Sequence, residues 1–166
     1  TVDMAALRPA TLVFFLALML IGASPGGTGG GIKTTTFTVM LLTISSLLKE
    51  KTDVEARRRV IARDIVNKAL AITTLFVGMI FIASLVITLA DPALSYLHVL
   101  FEVVSASATV GLSTGITGTL SDVSKSVIIA TMFLGRIGPL TLVMAMTLRR
   151  TRRNIVRYPE EKIMVG

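Results

Sequence analysis

The segment Thr109-Val110-Gly111-Leu112-Ser113 combines hydroxyl side chains and a glycine within otherwise apolar sequence. Gly111 lacks the Cβ atom that restricts other residues, so the backbone here can turn its carbonyl groups towards one side. Rows of backbone carbonyls can replace the water shell of a dehydrated cation. This segment therefore predicts a cation-binding strand in which Thr109, Val110 and Gly111 supply the oxygen ligands.

The match of this strand to known ion filters is partial. Potassium channels use Thr-Val-Gly-Tyr-Gly loops, and the first three of those residue types occur at 109–111. An ordinary surface turn is the alternative, but the surrounding sequence favours a filter for potassium. A short apolar segment at 92–108 precedes the strand, and as a helix it would direct its partly negative C-terminal end at a cation.

A second unusual segment, at 24–36, holds five glycines and one proline between two apolar runs. This composition does not sustain a helix. A phosphate-binding loop needs glycine directly before lysine, whereas Ile32 separates Gly31 from Lys33. Irregular backbone at membrane depth is tolerated where it is buried in protein or lines a water-filled cavity. We therefore predict a gate in an ion path, with an ordinary loop outside the membrane as the alternative; the predicted gate residues are Gly26, Gly27, Thr28, Gly29, Gly30, Gly31, Lys33 and Arg136.

Arg136 is the one charged residue in the apolar run 126–148. An ionisable side chain inside a membrane-spanning segment costs about 2.5–3.5 kcal/mol on insertion scales and indicates a functional site. Pro139 cannot donate a backbone hydrogen bond, which predicts a kink beside the charge. Packing against an acidic partner is the alternative. We expect Arg136 to donate hydrogen bonds to the gate and hold it across the pore.

Four apolar runs, at 9–23, 37–48, 69–90 and 126–148, must position these residues. The last two have the length of about 20 residues that a membrane-spanning helix needs. The first two are each too short, so the simplest interpretation is one crossing interrupted by the gate. The fold class is therefore an all-α membrane protein with a glycine-broken transmembrane helix. The predicted divisions are 1–48 for that helix with its loop at 24–36, 49–64 for a partly helical connector, 65–90 for an outer helix, 92–108 for a pore helix beginning at Asp91-Pro92, 109–113 for the filter, 121–150 for an inner helix capped by Ser121 or Asp122, and 151–166 for a tail.

The net charge of +7 is carried mainly by two clusters that flank the apolar runs, one between Lys49 and Lys68 and one in the tail. Positively charged loops next to membrane helices are typically cytoplasmic, so this distribution predicts a multi-pass membrane protein and no nucleic-acid partner. No Lys or Arg occurs between Lys68 and Lys125. That stretch is predicted to face outward, where Asp91, Glu102 and Asp122 would add negative charge. The chain has no cysteine and one histidine, so no disulfide framework and no metal site built from cysteine or histidine is predicted. No enzyme chemistry is predicted either.

The segment 22–37, the strand 108–113 and the region around Arg136 together resemble the Ktr/Trk/HKT superfamily of potassium transporters, which includes KtrB and TrkH. The similarity is greatest to the bacterial KtrB-type membrane subunit. It implies four helix–pore loop–helix repeats of the potassium-channel-like type around one pore. The chain would supply the second helix of the third repeat and all of the fourth. The resemblance also implies a membrane homodimer above a cytosolic KtrA-type ring that binds the nucleotide, and potassium as the transported ion, with sodium as a second candidate.

Two other functional classes remain open at this point. A secondary transporter with a discontinuous helix would bind its substrate at a broken segment near the midplane; it accounts for the glycine loop but not for the filter-like strand. A membrane scaffold would use both loops for packing and would show no dependence on ions.

Overall fold

A computed structural model describes residues 4–27, 29–50, 53–56 and 59–138. In this part of the chain, five α-helices, two short strands and two 3-10 turns follow one another. The helices are α1 (Pro9–Leu20), α2 (Thr34–Leu48), α3 (Arg63–Ala90), α4 (Tyr96–Ser107) and α5 (Asp122–Ile137); the strands are β1 (Glu55–Ala56) and β2 (Arg59–Val60); the turns are Met4–Ala6 and Ile116–Thr119.

Helix α4 lies at the centre of the packing. Every residue from 101 to 107 is buried, which a single apolar stripe on a helix would not produce. Helices α1, α3 and α5 all pack against α4 and enclose it. Because three neighbours hold this helix, the chain that leaves its C-terminal end starts from a fixed place.

Helix α3 matches the predicted outer helix at 65–90 and begins two residues earlier. Among the described residues it is the one helix that is long and apolar enough to cross a membrane. Large apolar side chains on its surface are exposed, including Phe81, Ile82 and Leu89. Helices α1, α2 and α4 are apolar but shorter. The exposed apolar surface of α3 is the surface expected of a helix that faces lipid or further protein.

Asp91 joins the end of α3 to the start of α5. Its Oδ2 accepts hydrogen bonds from the backbone N–H of Ser121 at 3.1 Å, from the Ser121 hydroxyl at 3.0 Å and from the Ser124 hydroxyl at 2.5 Å. The hydrogen bond from Ser124, followed by that from the Ser121 backbone, lowers the pKa of Asp91. The carboxylate therefore remains charged at neutral pH and fixes the two helix ends together.

This role of Asp91 corrects the predicted start of the pore helix. Asp91-Pro92 was expected to begin that helix, but the prediction is wrong: α4 starts at Tyr96, after Ser95. The Asp91 carbonyl accepts from the Leu94 backbone in a turn instead, and its carboxylate is occupied by α5. A side chain that is engaged elsewhere is not available to cap the helix that follows it.

The connector also differs from its prediction. The sequence indicated a partly helical segment at 49–64, whereas β1 and β2 pair antiparallel, with Glu55 opposite Val60 and Ala56 opposite Arg59. The Ser46 hydroxyl of α2 donates to the Asp53 carbonyl at 2.8 Å and ties this small hairpin to the helix before it. Arg57 and Arg58 lie outside the described residues.

Helix α5 confirms the predicted cap, since the Ser121 side chain accepts from the backbone N–H of Ser124 at 3.3 Å. The helix is described as far as Ile137, and Gly138 follows with a φ of 86°. The remainder of the predicted inner helix to residue 150, the kink expected at Pro139 and the tail at 151–166 lie outside the described residues.

Gly135 sets the distance between α5 and α4. A Cβ atom placed on Gly135 would overlap the backbone carbonyl of Ser107, the last residue of α4. The two helices therefore touch backbone to backbone at this crossing, as small residues allow in membrane helix packing. Arg136 comes next in the chain, so this contact also fixes where its side chain begins.

Gly135→Ala should lower the melting temperature of the protein in detergent, because the added methyl group must push α5 away from α4 at a cost of about 1–3 kcal/mol. Gly78→Ala is the matched control. A Cβ atom on Gly78 meets nothing within 4 Å, and replacing glycine within a helix favours the helix by about 0.5–1 kcal/mol. Equal melting temperatures for the two variants would contradict the close crossing.

Candidate functional site

The predicted filter strand leaves α4 through a Schellman turn. The backbone N–H of Val110 donates to the Ser105 carbonyl at 3.0 Å, and that of Thr109 donates to the Ala106 carbonyl at 3.2 Å. These are the two hydrogen bonds that define this helix ending. The turn reverses the chain at the buried end of α4, so the strand begins beside the helix terminus, as the sequence predicted.

Thr109 occupies the position in this turn that glycine usually takes. Its φ is 55°, in the left-handed region, where a β-branched residue is strained. Such strain costs about 1–3 kcal/mol and is found mainly where function requires a particular side chain. This conformation could not be predicted from sequence, because threonine favours extended backbone.

The Thr109 hydroxyl explains why glycine is absent from this position. Its Oγ1 accepts a hydrogen bond from the backbone N–H of Gly30 at 2.7 Å. A Cβ atom on Gly30 would come within 2.9 Å of the Thr109 methyl group, so glycine is needed for the close approach. The predicted gate loop and the first residue of the predicted filter are therefore in direct contact.

Gly111 adopts a φ of 84°, and a Cβ atom there would meet nothing within 4 Å. The requirement for glycine at this position is conformational, since an L-amino acid side chain would strain the backbone even though space is free. Val110 beside it is 43% exposed. The sequence identified Gly111 as the residue that shapes the strand, and its left-handed conformation agrees with that interpretation.

The ends of the gate loop are joined to each other. The backbone N–H of Gly22 donates to the Ile32 carbonyl at 2.8 Å, and that of Ile32 donates to the Leu20 carbonyl at 3.3 Å. Ile21 and Ile32 thereby form a parallel bridge. In a parallel pair both segments run in the same direction. The chain therefore enters α2 in the same direction in which it leaves α1, and the loop lies between these two points.

Lys33 closes the loop from within. Its Nζ donates to the Gly29 carbonyl at 2.6 Å and to the Gly27 carbonyl at 3.2 Å. Lys33 was predicted from sequence to belong to the gate, but no role was assigned to it. The structure supplies one, because the ammonium group satisfies carbonyls that an irregular loop leaves without helical partners. Thr28, also a predicted gate residue, lies outside the described residues.

Two cavities border the predicted filter segment 109–113. One, of about 420 Å³, is lined by Arg136 and Glu102 together with Thr109 and Gly111. The other, of about 400 Å³, is lined by Gly29 and Gly30 of the loop together with Thr109 and Val110. Arg136 and the gate loop therefore approach the strand from different cavities, and Thr109 belongs to the walls of both.

Glu102 is the site residue whose role the sequence did not anticipate. Its carboxylate, which is buried on α4, accepts hydrogen bonds from Ser113, the last residue of the predicted filter, and from Thr114 after it. The feature of the sequence that could have indicated this role is an acidic residue within the apolar segment 92–108. A buried charge there is costly unless it is hydrogen-bonded. From sequence, that charge was expected only to add to the negative charge of an outward-facing stretch.

Replacing the Thr109 hydroxyl should release the loop. Thr109→Val keeps the shape of the side chain but removes the acceptor for the Gly30 N–H, whereas Thr109→Ser keeps the acceptor. A lost hydrogen bond of about 1 kcal/mol should accelerate amide hydrogen exchange in the peptide 22–33 by roughly fivefold in the valine variant. Unchanged exchange in Thr109→Val, or the same acceleration in both variants, would show that this contact does not hold the loop.

Comparison with known proteins places this arrangement in a family. The family model described as "TrkH: Cation transport protein" matches residues 1–158. The chain is 40% identical over 166 residues to Ktr system potassium uptake protein D of Bacillus subtilis, covering 100% of this chain and 36% of that protein. It is 38% identical to Ktr system potassium uptake protein B of Vibrio alginolyticus, with 100% and 36% covered.

The fold has a solved counterpart as well. The crystal structure of the potassium transporter TrkH from Vibrio parahaemolyticus superposes with a TM-score of 0.72 at 19% identity, covering 87% of this chain and 33% of that one. The chain thus spans about a third of the length of the proteins that it matches. Because the family model covers nearly all of it, the chain belongs to the TrkH family of cation transport proteins.

Proposed function

We propose that the protein containing this chain takes up potassium across a bacterial cell membrane through a channel-like pore. The observation that carries this proposal is the strand 109–113, which starts at the end of a buried helix and turns at Gly111 with a φ of 84°. Relatives that cover the whole chain are named as potassium uptake proteins, and one is named as a potassium/sodium uptake protein. Potassium is therefore the first candidate ion, and sodium is the second.

In this proposal the carbonyls of Thr109, Val110 and Gly111 bind the ion. The C-terminal end of α4 contributes a partial negative charge at the start of the strand. Three equivalent strands from the remainder of the protein complete the ring of oxygens. The chain provides one of four helix–pore loop–helix repeats, formed by α3, α4, the strand and α5. Helix α1, the loop and α2 form the interrupted crossing of the repeat before it.

The loop acts as the gate below this filter. The parallel bridge between Ile21 and Ile32 supports one interrupted crossing, since a simple turn between two crossings would reverse the chain. The hydrogen bond from the Gly30 N–H to Thr109 supports a gate that lies against the first residue of the filter. Lys33 holds the loop compact. Arg136 lines the other cavity beside Thr109, and its positive charge opposes cations below the filter. Opening requires these contacts to be broken by a shift of a few kcal/mol.

The partners in this proposal are a second copy of the membrane subunit and a cytosolic nucleotide-binding ring of the KtrA type. The relatives' names refer to a Ktr system, which supports more than one component. Basic residues of the connector, among them Lys49 and the exposed Arg59, would face the cytoplasm. The hairpin of β1 and β2 gives that connector a fixed shape on which a partner can act.

A secondary transporter remains the second candidate, because the loop between α1 and α2 is the kind of break at which such proteins bind substrate. Flux of potassium and rubidium into liposomes that contain the full-length protein, with amino acids and sugars as control substrates, separates the two. A channel-like pore predicts uptake of the ions alone. Uptake of an organic substrate would favour the second candidate.

Gly111→Ser should reduce the preference for potassium over sodium in the same liposomes while leaving the protein inserted and dimeric. The reason is strain, since a side chain at a φ of 84° alters the backbone whose carbonyls bind the ion. Gly118→Ser is the matched control, because Gly118 lies in open space without the left-handed backbone. Selectivity that is unchanged in Gly111→Ser would remove this residue from the filter.

Weakening the gate should raise flux and reduce its dependence on the cytosolic partner. Arg136→Ala, or deletion of Gly29 to Gly31, removes contacts of about 1 kcal/mol each, which corresponds to roughly fivefold more open protein. Lys33→Met serves as a second variant if Arg136→Ala does not assemble, and Lys125→Ala is the control for loss of a cation on α5. The gate would be refuted if correctly assembled variants kept the flux and the partner dependence of the parent.

A further inference from the structure

Glu102 is buried on α4, with 8% of its surface exposed. Its Oε1 accepts from the Ser113 hydroxyl at 2.7 Å, from the Thr114 backbone N–H at 2.8 Å and from the Thr114 hydroxyl at 3.1 Å. Its Oε2 accepts from the Thr117 hydroxyl at 3.2 Å. A carboxylate has about four acceptor positions. This one side chain can therefore accept hydrogen bonds from a backbone N–H and from several hydroxyls of one short segment.

All of these donors belong to the segment 113–117, which begins at the last residue of the filter strand. The strand is thus fixed at both ends by α4. At its beginning, backbone hydrogen bonds of the Schellman turn hold Thr109 and Val110. At its end, Glu102 holds Ser113 and Thr114. Between these anchors, within the described residues, no side-chain hydrogen bond fixes Gly111 or Leu112. Their positions therefore depend on both ends of the strand.

We propose that Glu102 is a positioning residue that sets ion selectivity by fixing the outer end of the filter strand. The inference rests on the proposed function of that strand. In this inference Glu102 acts through the strand rather than as an ion ligand, since four hydroxyl and amide donors of the segment 113–117 engage its carboxylate. Whether selectivity arises from cavity size or from the field of the carbonyls, it depends on where the strand is held.

The hydroxyl of Ser113 supports this assignment. It donates to Glu102 and accepts from the Gly115 backbone N–H at 2.9 Å, so it is directed at the protein. Ser113 was predicted as a filter residue, and in this arrangement its side chain anchors the strand. The sequence Ser113 to Thr117 supplies three hydroxyls within five residues, which matches the number of hydroxyl donors that Glu102 receives.

Substitutions at Glu102 test the anchor. Glu102→Gln keeps the shape, and its amide can still accept from Ser113 and Thr114 while donating to the Thr117 hydroxyl, but it loses the stronger charge-assisted bonds. Glu102→Leu keeps the volume and loses every bond. In the full-length protein in liposomes, the potassium-to-sodium flux ratio should fall by roughly tenfold for leucine and by less for glutamine.

Two controls separate this role from simpler ones. Asp122→Asn removes an exposed acidic charge at the N-terminal end of α5 and leaves the hydrogen bonds of Glu102 in place. It should leave the flux ratio unchanged. Ser113→Ala combined with Glu102→Leu should lower the ratio no further than Glu102→Leu alone, since both act on one contact. Assembly of each variant is checked by gel filtration, and Glu102→Gln keeps the test decisive if the leucine variant does not assemble.

The outcomes distinguish this inference from the proposed function. If the parent protein selects potassium but the ratio is the same in Glu102→Gln, Glu102→Leu and the parent, Glu102 is not a positioning residue. An equal fall of the flux ratio in Asp122→Asn would overturn the inference too, because it would show that any loss of negative charge on this side of the protein has the same effect. Failure of the parent itself to carry potassium would refute the proposed function instead.

Discussion

The left-handed turn at Thr109 is the constraint on which the site depends. It ends α4, begins the proposed filter strand and presents the hydroxyl that accepts the hydrogen bond from the Gly30 N–H. Glycine would relieve the strain of this turn but could not make that hydrogen bond. The glycine loop, which is distant in sequence, therefore meets the buried helix and the strand that follows it at one residue. The backbone of that residue is held by its surroundings rather than by its own preference.

The surrounding helices supply that restraint. Helix α4 is enclosed by α1, α3 and α5, and Gly135 allows α5 to touch the last residue of α4 directly. Asp91 ties the end of α3 to the start of α5 through Ser121 and Ser124. Rigid helices thus position a strand and a loop that have little regular hydrogen bonding of their own, which is how irregular backbone can persist inside an apolar protein.

Much of this arrangement could be predicted from sequence, because hydropathy and glycine content report directly on helices and their interruptions. The outer helix, the cap at Ser121 and the irregular backbone within 24–33 and at 109–113 follow from such local signals. The predicted loop was too long at its end, because α2 already begins at Thr34. The start of α4 does not follow from them, since Asp91 is engaged by residues 30 or more positions away. The hairpin of the connector does not follow from them either. The roles of Lys33 and Glu102 depend likewise on which backbone groups the fold brings near them.

The most direct test of this account is the position of the ion itself. Crystals of the full-length protein grown with rubidium or thallium would show anomalous scattering wherever a potassium-like ion binds. The account predicts peaks beside the carbonyls of Thr109, Val110 and Gly111, on the pore axis, that disappear when sodium replaces these ions. Well-ordered peaks elsewhere, with none along this strand, would contradict it.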